Sequence, residues 1–331
     1  MILIKHARML LGLLLVSSVT YFPNGVIWAQ GFNPTGPIEV IVHSRPGGGS
    51  DLFARAISDM MREEKIISER MQVTNKPGGS GAVAMTYLAS KKGDTHTIGF
   101  FTPVLIVTPL TRKEAKVTIQ QLTPIVRLAL EPTVAVVKAD SPYKTMTDFI
   151  QAAKQNPGKL KQPGGAVTSL DNLFRLLIQK ATGAQWAYVN LESGGERVAN
   201  LLGGHMELML DNPDKTSEYV RAGTMRVIAA LTEKRLSIYP EVPTIKEQGI
   251  DVPILTQSRG VLAPPGVPKN VVVYWENAFQ RLRNTSRWKK YLADNLMEDG
   301  FLTSEALGKF WDSESQLLRT VLKEAGVKVT R

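Results

Sequence analysis

A glycine-rich turn between an apolar strand and an amphipathic helix most constrains what this chain can fold into. The turn covers residues 46–51 (PGGGSD), the apolar run 38–42 (IEVIV) precedes it, and a helical pattern begins at Leu52. Glycines without Cβ atoms let the backbone bring N–H groups close to a ligand, and Ser50 or Asp51 is expected to cap the helix. Because free N–H groups at a helix N-terminus carry partial positive charge, the pattern predicts a pocket for a carboxylate or phosphate.

The same kind of turn occurs at residues 77–81, 163–165 and 193–196, each time before another helical pattern. Four such turns predict one cleft lined by backbone donors. The turn at 46–49 and the loop at 164–169 are expected to face each other across it, with a Cβ at position 48 intruding on the ligand. The simpler alternative is that each glycine pair only makes a tight connection from strand to helix.

Strands and helices alternate along the chain, which is typical of an α/β protein with a parallel sheet. Strands are predicted at 38–42, 71–74 and 97–101, and the helix after the first turn repeats apolar residues at the spacing of one helix face. In such sheets ligands bind beyond the carboxyl ends of the strands, where the glycine turns lie.

Two apolar segments, 124–137 and 254–263, are predicted to cross between two lobes. Residues 30–130 then form the first part of lobe 1, residues 131–253 form lobe 2, and residues 254–331 return to lobe 1 with a mostly helical end. A short helix ended by Gly249 is predicted before the return. A cleft between hinged lobes is a preferred place for a small-molecule site.

The N-terminus has the pattern of a secretory signal peptide covering residues 1–29. Lys5 and Arg8 precede an apolar segment too short to span a bilayer, and small residues continue to Ala29. Export to the periplasm is therefore expected. The formal net charge of +10 suits an acidic ligand, whereas export argues against nucleic acid. The sequence contains no cysteine, which excludes disulfides, thiolate nucleophiles and cysteine-based metal sites.

Motifs that carry catalysis are missing or weak. The sequence has no zinc-protease motif, no serine-hydrolase elbow and no phosphate-binding loop with its lysine and hydroxyl pair. Residues 79–84 match a dinucleotide fingerprint, but the nearest acid, Asp94, follows too soon and in a loop. His43, His96 and His205 offer little for catalysis. We predict no catalytic residue, no metal and no cofactor.

Five motifs taken together resemble one family. They are residues 46–51 (PGGGSD), 75–81 (NKPGGSG), 193–196 (SGGE) followed by 201–205 (LLGGH), 240–244 (PEVPT) and 259–266 (RGVLAPPG). As a set, from about residue 37 to about residue 270, they resemble the substrate-binding receptors of tripartite tricarboxylate transporters, the Bug family of periplasmic solute receptors. The resemblance implies a type II periplasmic binding fold, an α/β fold whose two lobes clamp a small carboxylated solute through backbone amides and water. It also implies delivery of that solute to the permease subunits of a membrane transporter, by a receptor expected to be a monomer.

The turns and the resemblance together give a set of expected ligand-binding residues. These are Ser44, Pro46, Gly47, Gly48, Gly49, Asp51, Asn75, Gly79, Thr102, Gly165, Val167, Thr168, Ser169, Ser193, Gly194, Asp211 and Arg259. For Asp51 the favoured interpretation is a capping acid in the first turn of the helix, where it complements the helix dipole. Asp211 could accept from a ligand hydroxyl or amine, or be structural. Arg259 is expected to bind a second carboxylate, and the alternatives are a surface arginine or a partner for Glu131.

Two departures from the family pattern keep the solute class broad. Residues 43–46 read HSRP, where many members have an aromatic in a proline-rich context, and Asn172 stands where histidine is frequent. A di- or tricarboxylate or another organic acid is expected, and a neutral solute stays open. Two other functions stay open as well: a periplasmic enzyme on the same fold, and a ligand-sensing module for a membrane signalling partner.

Overall fold

The computed structural model describes residues 31–165, 169–191, 193–255, 257–324 and 326–330. The predicted signal peptide, residues 1–29, lies outside the described residues, and so do Val167 and Thr168 from the expected site. Across the described ranges, every helix is too short or too polar to serve as a membrane span.

Strands and helices alternate through most of the chain, as predicted. The strands are β1 (Ile38–Val42), β2 (Met71–Asn75), β3 (Thr97–Phe101), β4 (Thr123–Glu131), β5 (Val134–Lys138), β6 (Lys161–Gly164), β7 (Ala187–Asn190), β8 (Met209–Asp211), β9 (Met225–Ala230), β10 (Gln257–Ala263) and β11 (Glu298–Leu302). The α-helices are α1 (Gly49–Glu63), α2 (Ala82–Ser90), α3 (Val104–Thr111), α4 (Met146–Gln155), α5 (Leu170–Thr182), α6 (Gly194–Leu202), α7 (Pro213–Arg221), α8 (Lys269–Asn284), α9 (Ser286–Asp294) and α10 (Ser304–Glu324).

The larger sheet takes its strands from both ends of the chain. Its six strands lie in the order β11-β4-β10-β3-β1-β2. Strand β1 pairs in parallel with both β2 and β3, which confirms the parallel start predicted from the sequence. Strands β10, β4 and β11 pair antiparallel along the rest of the sheet. The first glycine turn follows β1 directly and therefore lies at the carboxyl edge of the parallel strands.

The middle of the chain builds two smaller sheets. Strand β5 lies between β8 and β9, antiparallel to both, and β6 pairs in parallel with β7. The chain leaves the larger sheet at the end of β4, and β5 begins after Pro132 and Thr133. It re-enters the larger sheet at β10, which is the return strand predicted from residues 254–263.

Aromatic side chains fix α1 to the larger sheet. Phe53 is 2% exposed and makes edge-on contacts with Phe100 and Trp288, with ring centroids 5.7 and 6.2 Å apart. Each such side chain contributes about 1.5–3 kcal/mol through burial. The predicted core positions Trp275 and Phe279 are fully buried in the same cluster. The helix that carries the glycine turn at its N-terminus is thus held rigidly against the sheet.

Three features differ from the prediction. Helix α3 was not predicted, because its sequence VLIVTPLT has no polar face and contains Pro109; the helix forms because nearly all of it is buried. Strand β11 interrupts the helical end of the chain and pairs with β4. The short helix ended by Gly249 is wrong: residues 245–249 form a turn, in which the backbone N–H of Gly249 donates to the Lys246 carbonyl.

Candidate functional site

A cavity of about 470 Å³ lies where the first glycine turn meets residues of the smaller sheets. It is lined by Gly47, Gly49, Leu52, Glu131, Thr133, Gly165, Ser169, Leu170, Asp171, Arg197, Leu210, Asp211, Asn212, Lys215, Gln257 and Arg259. Gly47 and Gly49 of the first turn and Gly165 and Ser169, described residues near the two ends of the expected loop, therefore border the same cavity. Six of the expected ligand-binding residues are among the lining ones, namely Gly47, Gly49, Gly165, Ser169, Asp211 and Arg259.

The first glycine turn uses part of its own hydrogen-bonding capacity internally. Gly47 has a φ of 77° and its N–H donates to Asp51 Oδ2 at 2.9 Å, while the N–H of Gly48 donates to the Arg45 carbonyl at 3.0 Å. The N–H groups of Gly49 and Ser50, at the start of α1, have no acceptor among the described residues. Two donors at the positive end of the helix are thus available to an anion.

Asp51 holds the turn in shape and does not cap α1. Its buried carboxylate accepts from Gly47 and from Asn75 Nδ2 at 2.9 Å, and Arg55 Nε donates to it at 3.0 Å. The hydrogen bond from Arg55 is the main cause that lowers the pKa of Asp51. The hydroxyl of Ser44 instead accepts the Asp51 N–H, at 3.1 Å. Ser44, Asp51 and Asn75 do not line the cavity, and their contacts stabilise the turn that does.

The neighbouring glycines of this turn have different surroundings. A Cβ on Gly48 would lie 2.9 Å from Ser44 Cβ and 3.0 Å from the Arg45 carbonyl oxygen, inside the turn itself. The expectation that it would intrude on the ligand is therefore wrong. A Cβ on Gly49 would lie 3.2 Å from an Nη atom of Arg259, which also lines the cavity. Gly49 is the position where the backbone has to approach the cavity closely.

The loop from the second lobe repeats this arrangement. Asp171, in the first turn of α5, accepts from the N–H of Gly165 at 3.1 Å and from the Tyr188 hydroxyl at 2.9 Å, and Ser169 Oγ also donates to it. Burial is the main cause that raises the pKa of Tyr188, so that its hydroxyl stays protonated and donates. As with Gly47 and Asp51, a carboxylate at a helix start fixes a glycine loop at the cavity edge.

Arg259 is paired with Glu131 and also lines the cavity. Its Nε lies 2.6 Å from Glu131 Oε1, and its guanidinium lies 5.3 Å from the ring centroid of Phe53. It is only 9% exposed, yet it lines the cavity, and its Nη atoms have no acceptor among the described residues. The surface alternative is wrong, and the pairing with Glu131 is confirmed.

Asp211 pairs with a cation that sequence reasoning missed. Its Oδ2 lies 3.0 Å from Arg197 Nη1, and its Oδ1 accepts from the N–H of Asn212 at 2.8 Å. Burial raises the pKa of Asp211 to about 6, because the charged form is poorly solvated there. Arg197 and Lys215 stand near the starts of α6 and α7, where the helix dipole disfavours cations. This unfavourable placement is the feature of the sequence that could have indicated a role for Arg197 and Lys215 at the site.

Several expected residues lie away from the cavity lining. Gly79 starts a short 3₁₀ turn packed against α3, where Thr108 Oγ1 donates to the Ser80 carbonyl. Ser193 and Gly194 stand at the start of α6. Pro46 begins the first turn and Thr102 follows β3, and neither lines the cavity. The second and fourth glycine turns therefore contribute no lining residue among those described.

The histidine near the first glycine turn is mostly buried and stays outside the cavity lining. Burial lowers the pKa of His43 to about 4, so that this imidazole is neutral at pH 7; its Nε2 lies 3.4 Å from Thr102 Oγ1. Among the described residues, no group of three His, Cys, Asp or Glu side chains is placed to hold a metal ion. Since Arg259 and Arg197 each have a carboxylate partner, an anion would be held by directed hydrogen bonds more than by net charge.

Comparison with known proteins identifies the family. Residues 53–327 match the model of the tripartite tricarboxylate transporter family receptor. The UPF0065 protein in the gbd 5' region of Cupriavidus necator is 30% identical over 295 residues, which cover 89% of each chain.

Solved structures agree with this fold. A TctC solute-binding protein from Polaromonas has a TM-score of 0.74 at 26% identity and covers 88% of this chain and 99% of its own. Rpa4515 of R. palustris, determined with adipate, has a TM-score of 0.79 at 25% identity and covers 89% and 98% of the two chains. The two-lobe fold and the family predicted from the motifs are both confirmed. This chain belongs to the receptor family of tripartite tricarboxylate transporters.

Proposed function

We propose that this protein is a periplasmic receptor that binds a small organic acid, most simply a dicarboxylate, in the cavity between its lobes. The observation that carries the proposal is the pair of N–H groups at Gly49 and Ser50, which have no acceptor in the described part of the chain and lie near the Nη atoms of Arg259. A carboxylate oxygen is the ligand group that these donors fit best, because a helix N-terminus and a guanidinium both favour negative charge.

The size of the site and a similar structure support the same proposal. A cavity of about 470 Å³ suits a small metabolite. Rpa4515 was determined with adipate, a straight-chain dicarboxylate. We propose the same ligand class, a dicarboxylate, for this chain, and we leave the number of carbon atoms in the acid open.

Delivery to a membrane permease and export through the N-terminal segment are part of the proposal. We place the lobe boundaries at residues 130/131 and 253/254, near the end of β4 and ahead of β10. Lobes joined by such crossings can close over a solute, and a permease can then distinguish the loaded receptor from the empty one.

The proposal is tested by a thermal-shift screen of the purified protein, followed by calorimetric titration. We expect organic acids to raise the melting temperature, since a ligand that binds only the folded state stabilises it by linkage. The matched control is the diamide of each acid, which has the same carbon chain without carboxylates. Absence of any shift with acids, or an equal shift with diamides, would contradict the proposal. Conversion of any acid to a product would instead favour the enzyme alternative.

A further inference from the structure

Two buried arginine–carboxylate pairs line the cavity, one on each lobe. Arg259, on β10 of the larger sheet, is paired with Glu131. Arg197, on α6 in the middle part of the chain, is paired with Asp211. The side chains of Arg259 and Arg197 are 10% and 15% exposed, and both residues are among those lining the cavity.

Arg259 lies at the same end of the cavity as the first glycine turn. One of its Nη atoms is 3.2 Å from the position of a Cβ on Gly49, whose N–H has no acceptor in the ranges that the structure describes. The turn and Arg259 can therefore bind one carboxylate together. A second carboxylate at the far end of a solute would lie against residues from the middle of the chain, where Arg197 and Lys215 are the lining cations.

Arg197 has the properties that this second position needs. Its Nη1 lies 3.0 Å from Asp211 Oδ2, while its Nε is buried and has no hydrogen-bond acceptor among the described residues. Because Nε is buried, a ligand in the cavity would be bound through the Nη atoms, and hydrogen bonds of this charged kind are stronger than neutral ones. Lys215 lines the same wall and adds a second positive charge there.

We propose that Arg197 binds the second carboxylate of the solute and so makes the receptor selective for dicarboxylates over monocarboxylates of equal length. Asp211 is a positioning residue, which holds the guanidinium in its binding orientation. The inference rests on the proposed function and deepens it. Because Arg259 and Arg197 belong to different lobes, a dicarboxylate would link the lobes, whereas a monocarboxylate would contact only one.

The test compares straight-chain dicarboxylates, from malonate to suberate, with the monocarboxylates of the same carbon number, adipate with hexanoate for example. Calorimetry gives the affinity of each for the wild type and for Arg197→Gln. We expect the wild type to prefer the dicarboxylate by at least about tenfold, as expected for a hydrogen-bonded charged group. Arg197→Gln should remove that preference while changing monocarboxylate binding by less than about twofold.

Three further variants make the result specific. Asp211→Asn should reduce the preference partly, because the guanidinium keeps its charge and loses its anchor. Arg221→Gln removes a positive charge from an exposed position on α7, outside the cavity lining, and should change neither affinity. The double variant Arg197→Gln/Asp211→Asn leaves no unpaired buried charge and replaces the single variant if that one does not fold.

The outcomes separate this inference from the proposed function. Loss of both affinities in equal proportion, or of neither, in folded Arg197 variants would overturn the role of Arg197. A wild type that binds monocarboxylates as tightly as dicarboxylates would overturn it too. If neither this series nor any other organic acid of the thermal-shift screen binds the wild type, the proposed function itself fails. As a second readout, small-angle scattering should show compaction with the preferred dicarboxylate and none with its monocarboxylate.

Discussion

Arg259 and Glu131 form a buried ion pair between two antiparallel strands, with 2.6 Å from Nε to Oε1. Gln257 on β10 is paired directly with Glu131 on β4, so Arg259, two residues further along, reaches Glu131 diagonally on the same face. The pair stands at the end of β4, where the chain leaves the larger sheet for the second lobe. It therefore joins the point where the chain leaves the larger sheet to the cavity wall.

Removal of one partner of this pair should cost more stability than removal of both. Arg259→Met alone leaves Glu131 charged and buried, and we expect a loss of about 3 kcal/mol in the free energy of unfolding. Arg259→Met/Glu131→Gln should recover most of that loss, while both variants lose acid binding. Urea unfolding and calorimetry of the full double-mutant cycle measure the two effects separately. Equal instability of single and double variants would show that loss of the ion pair is not what destabilises the single variant.

Gly49→Ala should weaken acid binding by about tenfold or more and leave stability nearly unchanged. The added methyl group would press on Arg259 at 3.2 Å, whereas the backbone of Gly49 has an ordinary helical conformation. The matched control is Gly195→Ala, in the first turn of α6, where a Cβ meets only Ser193 Oγ at 3.8 Å. That variant should bind acids normally. In contrast, Gly48→Ala should lower the melting temperature, because its Cβ would clash inside the turn. If Gly49→Ala binds acids with normal affinity, Gly49 does not belong to the binding site.

Local sequence patterns predicted the elements that build the first half of the site. The strand, the glycine turn and helix α1 are contiguous, and each follows from residue spacing and backbone freedom within 38–63. Helix α3 was not predicted because burial, and not periodicity, decides it: α3 has no polar face. Strand β11 has the sequence EDGFL, in which only Gly300 is buried, and it forms by pairing with the distant strand β4.

Contacts between distant segments could not be predicted in the same way. Arg259 and Glu131 are 128 residues apart, and their pairing depends on how β10 aligns with β4. The roles of Arg197 and Asp171 likewise depend on loops that only the folded chain brings to one cavity. The sequence does show that glycine turns precede helices, but it does not show which N–H groups the turns use internally.

Asp51→Asn should destabilise the protein although Asp51 lies outside the cavity lining. Its carboxylate accepts from Gly47, Asn75 and Arg55 and is 3% exposed, so loss of its charge should cost about 1–3 kcal/mol in urea unfolding. Asp59→Asn on the same helix is the control, because its pair with Arg62 is 57% and 71% exposed and should contribute less than about 1 kcal/mol. Similar losses in the two variants would mean that Asp51 is not the support of the turn.

Glu314 should make the stability of the protein fall as the pH rises towards neutrality. This side chain on α10 is 6% exposed, its Oε1 has no hydrogen-bond partner among the described residues, and burial raises its pKa from 4.5 to about 7. The nearby Arg127 guanidinium only partly offsets that cost. Because the folded state holds this proton more tightly than the unfolded state, the stability that the proton provides is lost between about pH 4.5 and pH 7.

The amide of Glu314→Gln is neutral at every pH in this range. The free energy of unfolding of the variant, minus that of the wild type, should therefore increase by about 2–3 kcal/mol from about pH 5 to pH 8. Other titrating groups, His43 among them, are common to both proteins and cancel in the difference. Glu305→Gln, at the exposed start of the same helix, is the matched control: its pKa is lowered by Lys309, so it should show no change over this range. Urea unfolding at a series of pH values measures the effect, and parallel curves for Glu314→Gln and the wild type would show that Glu314 stays ionised in the folded protein.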